Sequence, residues 1–391
     1  MVKYNPFSDE VMNDPYPVYA ELRREDPVYY IEEFDAWALA KFQDIWDCSM
    51  DNKHFTATKG TTSAHVLTKV QPVTPMLNMM DPPEHTKLRS EMRQFFTPAK
   101  VAPLEPFIRE MVTGYIAEAK ERGGMDVMGE YASNVATAVT CKLNGLPPED
   151  GDMLNDLVWR FFARDPEIDG MTPDGLAAME ELGGYFYQLA AGVRAKGADG
   201  NDVLNLLCRF ELNGEPFDLE TIASHLILLI IGGAETFPKT FANTTQLLAE
   251  HPDQRARVAA DLSIVPDAFQ EALRYWMPTQ FLCRTVTNDL ELRGKTLKEG
   301  QPVLFLYPSA NRDDDEFDNP DVFDIDRGAK RILSFGAGTH ACVGMHAARL
   351  EAKVCLEEML SAFPEYEIDL DNAEKLVTDF VQGYASFPIK I

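Results

Sequence analysis

The pattern of apolar and polar residues changes several times along the chain. Helical spacing predicts a helix at residues 17–24, and a strand pair follows at 28–31 and 37–39. Helical patterns dominate from about 84 to 182, and alternation returns between 285 and 305, where it indicates short strands. The pattern predicts a mainly α-helical fold with a minor β region.

A long helix is predicted over residues 219–250. Its first half is apolar on nearly every side, which is typical of a buried helix. The longest apolar run, 226–231, is too short to span a bilayer. A final helix is predicted at 343–362, and residues 1–391 are expected to form one domain because no repeat or Pro- or Gly/Ser-rich linker divides them.

Composition narrows the range of partners and compartments. The net charge of -27 repels polyphosphate and anionic lipid, so nucleic-acid and membrane partners are not expected. Residues 1–22 lack an apolar targeting segment, and the six cysteines include no C-x-x-C pair. Reduced thiols and a cytoplasmic location are therefore expected.

The strongest local signal is the stretch FGAGTHACVG at residues 335–344. Gly336 and the glycine two positions later let the backbone pass close to a bulky group. Cys342 follows at the start of a predicted helix, where exposed N–H groups and the helix dipole favour a thiolate. Gly344 leaves the surface beside the sulfur clear, and Phe335 can pack next to it. The alternative is a glycine turn before a buried structural cysteine.

This stretch resembles the haem loop of the cytochrome P450 family, F-G-x-G-x-H-x-C-x-G, at every fixed position. The resemblance implies haem b (iron protoporphyrin IX) with Cys342 as the axial ligand, a thiolate that favours O–O cleavage. It also implies the P450 fold, with the haem between the long central helix and the helix that follows the cysteine.

Two further motifs are similar to those of the same family. Glu271 and Arg274 match the family's E-x-x-R pair, and their spacing places both on one helix face. Residues 317–323, FDNPDVF, resemble F-x-x-P-x-x-F. The resemblance implies that Arg327 joins the pair in a buried charge network, whose role is to fix the loop that presents Cys342.

Residues 232–236, GGAET, resemble the family's [AG]-G-x-[DE]-T in the middle of the long helix. The resemblance implies an acid–alcohol pair in which Glu235 connects to solvent and Thr236 orients water for proton delivery. The alternative is a structural ion pair between Glu235 and an Arg or Lys. Pro238 departs from the family pattern: without its N–H, the carbonyl of Ala234 loses its helical partner, which predicts a kink.

Haem carries two propionates that need neutralising when buried. The resemblance implies four partners for them, although a surface salt bridge is an alternative for each one: His85, Arg89, Arg284 and His340.

The substrate pocket is predicted to be mainly apolar, which favours a lipophilic guest. Its walls are placed in the loop 56–77, the central helix, the turn 279–282 and the C-terminal hairpin, and helices between 152 and 194 are expected to form a lid. The candidate wall residues are Ile230, Ile231, Ala234, Gln280, Phe281, Phe380 and Val381. Lys59, Lys69 and Gln71 are candidates for binding a carboxylate or ketone.

The function implied is insertion of one oxygen atom from O2 into a terpenoid, steroid, fatty acid or aromatic compound. Electrons would come from NAD(P)H through a separate ferredoxin or flavodoxin, since no such module is present. Residues 328–353 carry four basic residues against one acidic residue, a local excess that suits an acidic donor: Lys330, Arg331, Arg349 and Lys353 against Glu351. A bacterial three-component system is expected. Alternatives are a peroxide-driven peroxygenase and a non-catalytic haem-thiolate ligand sensor.

Overall fold

The fold was analysed in a computed structural model, which describes residues 2–69, 76–163 and 171–391. Helices form most of the structure: α1 (Asp9–Asn13), α2 (Tyr16–Glu25), α3 (Phe42–Met50), α4 (Ser63–Val66), α5 (Glu84–Arg93), α6 (Pro98–Val101), α7 (Glu105–Arg122), α8 (Ser133–Asn144), α9 (Gly151–Phe162), α10 (Pro173–Ala195), α11 (Val203–Arg209), α12 (Leu219–Ala234), α13 (Thr236–Glu250), α14 (Pro252–Ala260), α15 (Val265–Tyr275), α16 (Tyr307–Ala310) and α17 (Met345–Ala362).

The strands are short, as the sequence predicted: β1 (Val28–Ile31), β2 (Ala36–Leu39), β3 (Phe55–Thr56), β4 (Gly124–Asp126), β5 (Glu211–Leu212), β6 (Glu215–Pro216), β7 (Phe281–Val286), β8 (Leu290–Leu292), β9 (Lys295–Leu297), β10 (Pro302–Leu306), β11 (Glu367–Ile368), β12 (Glu374–Leu376), β13 (Gly383–Ser386) and β14 (Pro388–Lys390). The largest sheet has the order β1-β2-β10-β7-β3, with β2 and β10 parallel and its other pairs antiparallel. The mainly α fold with a minor β region is thus confirmed.

Strand β7 separates two apolar clusters because successive side chains point to opposite faces. Phe281 and Cys283 pack on the cluster that holds helix α2, whereas Leu282 and Val286 belong to the larger central cluster. Arg284 shares the face of Leu282 by the same alternation. The placement of Phe281 in the pocket wall was therefore wrong, since its ring packs on the side of the strand opposite Arg284.

The predicted long helix is broken at one residue. Glu235, with φ -96° and ψ -41°, is a turn between α12 and α13. Pro238 lies four residues after Ala234 and cannot donate the hydrogen bond that would continue the helix through this point. The kink predicted there is confirmed. By length and hydropathy Leu219–Glu250 could cross a membrane, but 61% of its most apolar window is buried inside the protein, as in a core helix.

The two glycines of the GGAET stretch face different surroundings. A Cβ atom built on Gly233 would lie 2.1 Å from Thr140 Oγ1 and 3.1 Å from Thr140 Cβ on α8. A Cβ atom on Gly232 would meet nothing within 4 Å. Gly233 therefore allows α12 to pack tightly against α8, and only Gly232 leaves open space beside the helix.

These surroundings predict opposite effects for two alanine substitutions. Gly233→Ala should lower the free energy of unfolding by about 1–3 kcal/mol, because the methyl group overlaps Thr140 and the helices must separate. Gly232→Ala should leave stability unchanged or raise it by up to about 1 kcal/mol, because it removes backbone freedom without a clash. Denaturant titration of both variants measures this difference, and equal losses would contradict it.

Candidate haem site

The loop that carries Cys342 has a conformation that depends on glycine. Gly336 and Gly338 have φ values of 66° and 71°, in the left-handed region. A Cβ atom on Gly338 would lie 2.2 Å from the backbone oxygen of Ser49, so no side chain fits there. The N–H of Cys342 donates to the carbonyl of Phe335 at 2.7 Å and closes the loop.

The sulfur of Cys342 is accessible, in contrast to the other cysteines. Cys342 is exposed, whereas the remaining five are buried. Gly344 lies beside it, and a Cβ atom at that position would be 3.9 Å from the Cys342 sulfur. A structural cysteine is normally buried, so the alternative of a buried structural thiol does not describe Cys342.

Although the Cys342 sulfur borders an open space, the protein atoms around it displace much of the bulk water, and this desolvation raises the pKa of the thiol. The N–H groups of Gly344 and Met345 and the charge of Arg89 act in the opposite direction. The predicted effect of the helix start is therefore present but is outweighed by desolvation. A metal ion deprotonates a thiol that coordinates it, so iron binding can supply the missing stabilisation of the thiolate.

A buried ion pair anchors the segment that precedes this loop. The fully buried guanidinium of Arg274 donates to both carboxylate oxygens of Glu271 at 2.7 and 2.8 Å. Arg327 donates to Glu271 at 3.0 Å and to the carbonyl of Val322 at 2.8 Å. The three predicted members of the network are thus in contact, and they hold the irregular segment around Val322 through its carbonyl oxygens.

Asn311 transmits this anchoring to the cysteine loop. Arg274 donates to the carbonyl of Asn311 at 2.8 Å, and the Asn311 side chain accepts from the N–H of Leu333 at 2.8 Å. The same side chain donates to Ser334 at 2.9 Å, which lies one residue before Phe335. Sequence reasoning missed Asn311, since a single asparagine in a polar stretch carries no distinctive signal.

The four predicted propionate partners lie close together, and burial together with the charges of the two arginines keeps the two histidines neutral near pH 7. The rings of His85 and His340 are 4.3 Å apart, and Arg89 donates to the carbonyl of Ala341. Burial, followed by the charge of Arg89, lowers the pKa of His85 to about 4. Burial, followed by the charge of Arg284, lowers the pKa of His340 to about 2. In the described part of the chain, none of the four forms an ion pair with an acidic residue.

This group matches an anionic ligand. Both ring nitrogens of His85 are buried and have no hydrogen-bond partner among the described residues. Buried polar atoms without a partner are costly, and an anion placed here would pair with the two arginines and accept hydrogen bonds from the histidines. The two carboxylates of a haem would meet both needs, next to an accessible cysteine sulfur. The residues present therefore fit a haem.

One stripe of the central helix remains accessible although the helix is otherwise buried. Leu228, Ile231, Gly232 and Thr236 retain accessible surface, and their spacing of i, i+3, i+4 and i+8 places them on one face. Ile230 is fully buried and does not belong to this accessible stripe. Sequence reasoning missed Leu228, which the helical spacing from Thr236 could have indicated.

The acid and the alcohol of the GGAET stretch have separate partners. Glu235 forms a buried ion pair with Lys239, one helical turn later. The hydroxyl of Thr236 donates to the carbonyl of Gly232 at 3.1 Å. The ion-pair alternative for Glu235 therefore describes its contact correctly, and Lys239 is a residue that the sequence analysis missed.

Other predicted pocket residues have mixed positions. Gln280 is buried and its amide donates to the carbonyl of Pro278 at 3.0 Å, so it is used inside the core. Lys59 and Lys69 are exposed, which does not support a role inside the pocket. Gln71 lies outside the described residues, as do residues 164–170 of the predicted lid.

The C-terminal hairpin and the turn at 279–282 contact each other, as expected of neighbouring walls. The N–H of Gln280 donates to the carbonyl of Phe380 at 2.9 Å, and Thr279 pairs with Val381. Val381 is buried, whereas Phe380 is half-buried and packs on the cluster that contains Ala234 and Val343. Phe380 thus joins the hairpin to the apolar cluster that also includes residues of the central helix and Val343.

Two of the four basic residues counted near Cys342 are neutralised in the fold. Arg331 pairs with Glu316 at 2.7 Å, and Lys353 pairs with Glu105 at 3.1 Å. Glu316 lies 15 residues before Arg331, whereas Glu105 comes from a distant part of the sequence. The local positive excess expected from the sequence is therefore smaller than the count indicated.

The other two basic residues stay at the surface. Arg349 is exposed and lies over the ring of Phe335 at 5.3 Å, and Lys330 is exposed. Neither forms an ion pair within the described ranges. Glu351 is buried, and burial raises its pKa to about 8, so this acid carries little charge at neutral pH. A small positive surface therefore persists next to the cysteine loop.

The site has the features of a haem-thiolate protein, and known proteins similar to this chain belong to the same class. A family model described as "Cytochrome P450" matches residues 177–380. Putative cytochrome P450 123 of Mycobacterium tuberculosis is 34% identical over 391 residues, which cover 99% of this chain and 96% of the relative. Vitamin D(3) 25-hydroxylase of Pseudonocardia autotrophica is 32% identical over 395 residues, with coverage of 99% and 96%.

Solved structures show the same fold. A mutant of P450 EryK in complex with erythromycin B has a TM-score of 0.87 at 27% identity, covering 98% of this chain and 97% of that one. CYP109E1 from Bacillus megaterium in complex with testosterone has a TM-score of 0.86 at 27% identity, with coverage of 98% and 99%. This chain belongs to the cytochrome P450 family, and it is accordingly a haem-dependent monooxygenase.

The cationic group predicts how tightly haem is retained. Arg284→Met should speed haem transfer to apomyoglobin about tenfold to a hundredfold, because a charge-assisted hydrogen bond contributes about 1.5–3 kcal/mol. Arg122→Met, which removes a surface pair with Glu130, is the matched control and should leave the rate unchanged. Equal rates in both variants would mean that Arg284 does not hold the cofactor.

Proposed function

We propose that this protein inserts one oxygen atom from O2 into a lipophilic small molecule, using haem b held by Cys342 and electrons from a separate redox protein. The single observation that carries the proposal is the accessible Cys342 sulfur beside two arginines and two histidines that form no ion pair with an acidic residue within the described residues. When bound, a thiolate-ligated haem supplies oxygen activation. We further propose one domain over residues 1–391 and a cytoplasmic location.

The residues of the chain divide the remaining tasks. Arg89, His85, Arg284 and His340 bind and orient the haem carboxylates. Glu271, Arg274 and Arg327 hold the segment that presents Cys342. On the central helix, Thr236 directs protons into the cavity, and Glu235 supplies them from solvent. Proton delivery by a positioned side chain typically contributes about 10²–10⁴-fold to a rate.

The substrate class follows from the accessible stripe on the central helix. Leu228, Ile231 and Gly232 offer an apolar surface, and Phe380 faces the same cluster from the hairpin. Apolar pockets favour guests with large apolar area. One relative is named vitamin D(3) 25-hydroxylase, and two similar structures hold erythromycin B and testosterone. These names support a bulky lipophilic substrate, such as a steroid or another terpenoid.

The monooxygenase assignment predicts a specific defect in Thr236→Ala. Product formed per NAD(P)H should fall roughly tenfold or more and peroxide should be released, because proton delivery is lost while reduction continues. Thr236→Ser keeps the hydroxyl and should retain most of the product yield. The control is Thr244→Ala, two helical turns after Thr236, which removes a buried hydroxyl that donates to the carbonyl of Thr240.

The same experiment separates the alternatives. A ligand sensor needs Cys342 but not Thr236. That alternative would be favoured if the wild type and Thr236→Ala bound ligand equally and neither formed product. Higher turnover with hydrogen peroxide than with ferredoxin and NAD(P)H would favour a peroxygenase. An unchanged product yield in Thr236→Ala would exclude the proposed role of the acid–alcohol pair.

The electron donor is proposed to dock at the positive surface next to the cysteine loop. Arg349 and Lys330 are the exposed cations there, and Arg349 touches the ring of Phe335. Charges at the rim of such an interface act mainly on the association rate. An acidic ferredoxin or flavodoxin would be attracted although the whole protein is acidic.

Arg349→Gln should raise the KM for an acidic ferredoxin roughly threefold to tenfold and weaken its dependence on salt. The kcat at saturating ferredoxin should change little, because the hydrogen bond that closes the haem loop, from the N–H of Cys342 to the carbonyl of Phe335, does not involve Arg349. Arg24→Gln, on helix α2, removes another exposed arginine charge as a control. The same KM in both variants would place the donor on another surface.

A further inference from the structure

Lys239 forms a deeply buried contact with the predicted acid, Glu235. Glu235 and Lys239 are 4% and 2% exposed, and their side chains form an ion pair along one face of the helix. A glutamate placed four residues before a lysine is the favourable orientation for such a pair. Removing one partner of a buried pair leaves an uncompensated charge, so the state of each residue depends on the other.

Neighbouring elements hold the lysine in place. The strand β13 approaches it at Gly383, where a Cβ atom would lie 3.2 Å from Lys239 Cβ. The Lys239 ammonium lies 5.9 Å from the centre of the Trp159 ring on α9. Because the hairpin and α9 fix the lysine from outside the helix, they also fix the carboxylate with which it pairs.

The pair lies on a different face from the alcohol. Thr236 and Gly232 are on the accessible stripe, whereas Glu235 and Lys239 are on the adjacent buried face. One carboxylate oxygen is engaged by Lys239, and the Thr236 hydroxyl donates to Gly232. For a proton to pass from Glu235 to Thr236, the carboxylate has to exchange Lys239 for another partner.

We propose that Lys239 is a positioning residue, which keeps Glu235 ionised between turnovers and thereby sets the pH range over which Glu235 relays protons to Thr236. This inference rests on the proposed function of the acid–alcohol pair. In each relay, Glu235 takes a proton from a hydronium ion or a buffer acid in the solvent, which becomes water or the buffer base. It passes that proton to the oxygen of Thr236, whose own hydrogen moves into the cavity. No electron is transferred, and the carboxylate returns to Lys239.

The first test is the pH dependence of coupling. Without a counterion, a buried carboxyl has a raised pKa, up to about 8–9 in documented cases. In Lys239→Met, product per NAD(P)H should therefore show an inflection between about pH 7 and 9, with a roughly tenfold fall on the acid side, where Glu235 stays protonated between turnovers and cannot take up a proton from solvent. Wild-type enzyme should show no such inflection, and Lys239→Arg should restore the wild-type profile.

The second test needs no turnover. Infrared difference spectra of the resting protein should show no protonated carboxyl that titrates in the wild type across the same pH range. Lys239→Met should show such a band, and Glu235→Gln combined with Lys239→Met should lose it. A titrating band in the wild type that disappears in Glu235→Gln would overturn the inference even if the Lys239 variants failed to fold.

A matched control separates the effect from general loss of a buried lysine. Lys41 pairs with Asp313 and Asp315 at 2.7 and 2.8 Å, away from the central helix. Lys41→Met should lower stability but keep the wild-type pH profile. A flat profile in Lys239→Met together with an uncoupled Thr236→Ala would reject only the role of Lys239. A fully coupled Thr236→Ala would instead reject the proposed function itself.

Discussion

The buried ion pair between Glu271 and Arg274 is the interaction on which the haem site depends. A loop that leaves a cysteine sulfur accessible cannot bury much apolar surface of its own, so other contacts must determine its position. Arg274 supplies them by donating to carbonyl groups of the segment before the loop, and Asn311 continues the connection to Leu333 and Ser334. Such a pair carries a large desolvation cost. The hydrogen bonds from Arg274 to backbone carbonyl groups offset part of that cost, and they fix a segment without regular secondary structure.

The break in the central helix has a comparable origin. Most of this helix is packed against neighbours, and Gly233 allows close contact with α8. The helix is interrupted at Glu235 because Pro238 cannot donate to the carbonyl of Ala234. Glu235 belongs to the buried pair with Lys239, and the next residue, Thr236, belongs to the accessible stripe. The same short segment therefore combines tight packing on one side with open space at Gly232 on the other.

Motifs of fixed spacing predicted more of the site than the apolar pattern did. The cysteine loop, the charge network and the kink were expected from local residues, and the predicted contacts or conformations are present. The pocket residues were less successful: Ile230, Gln280 and Phe281 are buried in the core. In a buried helix or strand, the face towards a cavity and the face towards a neighbouring element both carry apolar residues. The sequence pattern therefore does not distinguish the two faces.

The sequence by itself determined the family, the cysteine that can bind iron, and the positions where glycine or proline constrains the backbone. These features depend on local stereochemistry and on short spacings, which a linear chain already contains. Only the tertiary structure decided which charges remain available. Arg331 and Lys353 are neutralised by Glu316 and Glu105, while Arg89, Arg284 and the two histidines meet without an acidic partner among the described residues. Electrostatic energy depends on distance in space, and residues far apart in sequence become neighbours only when the chain folds.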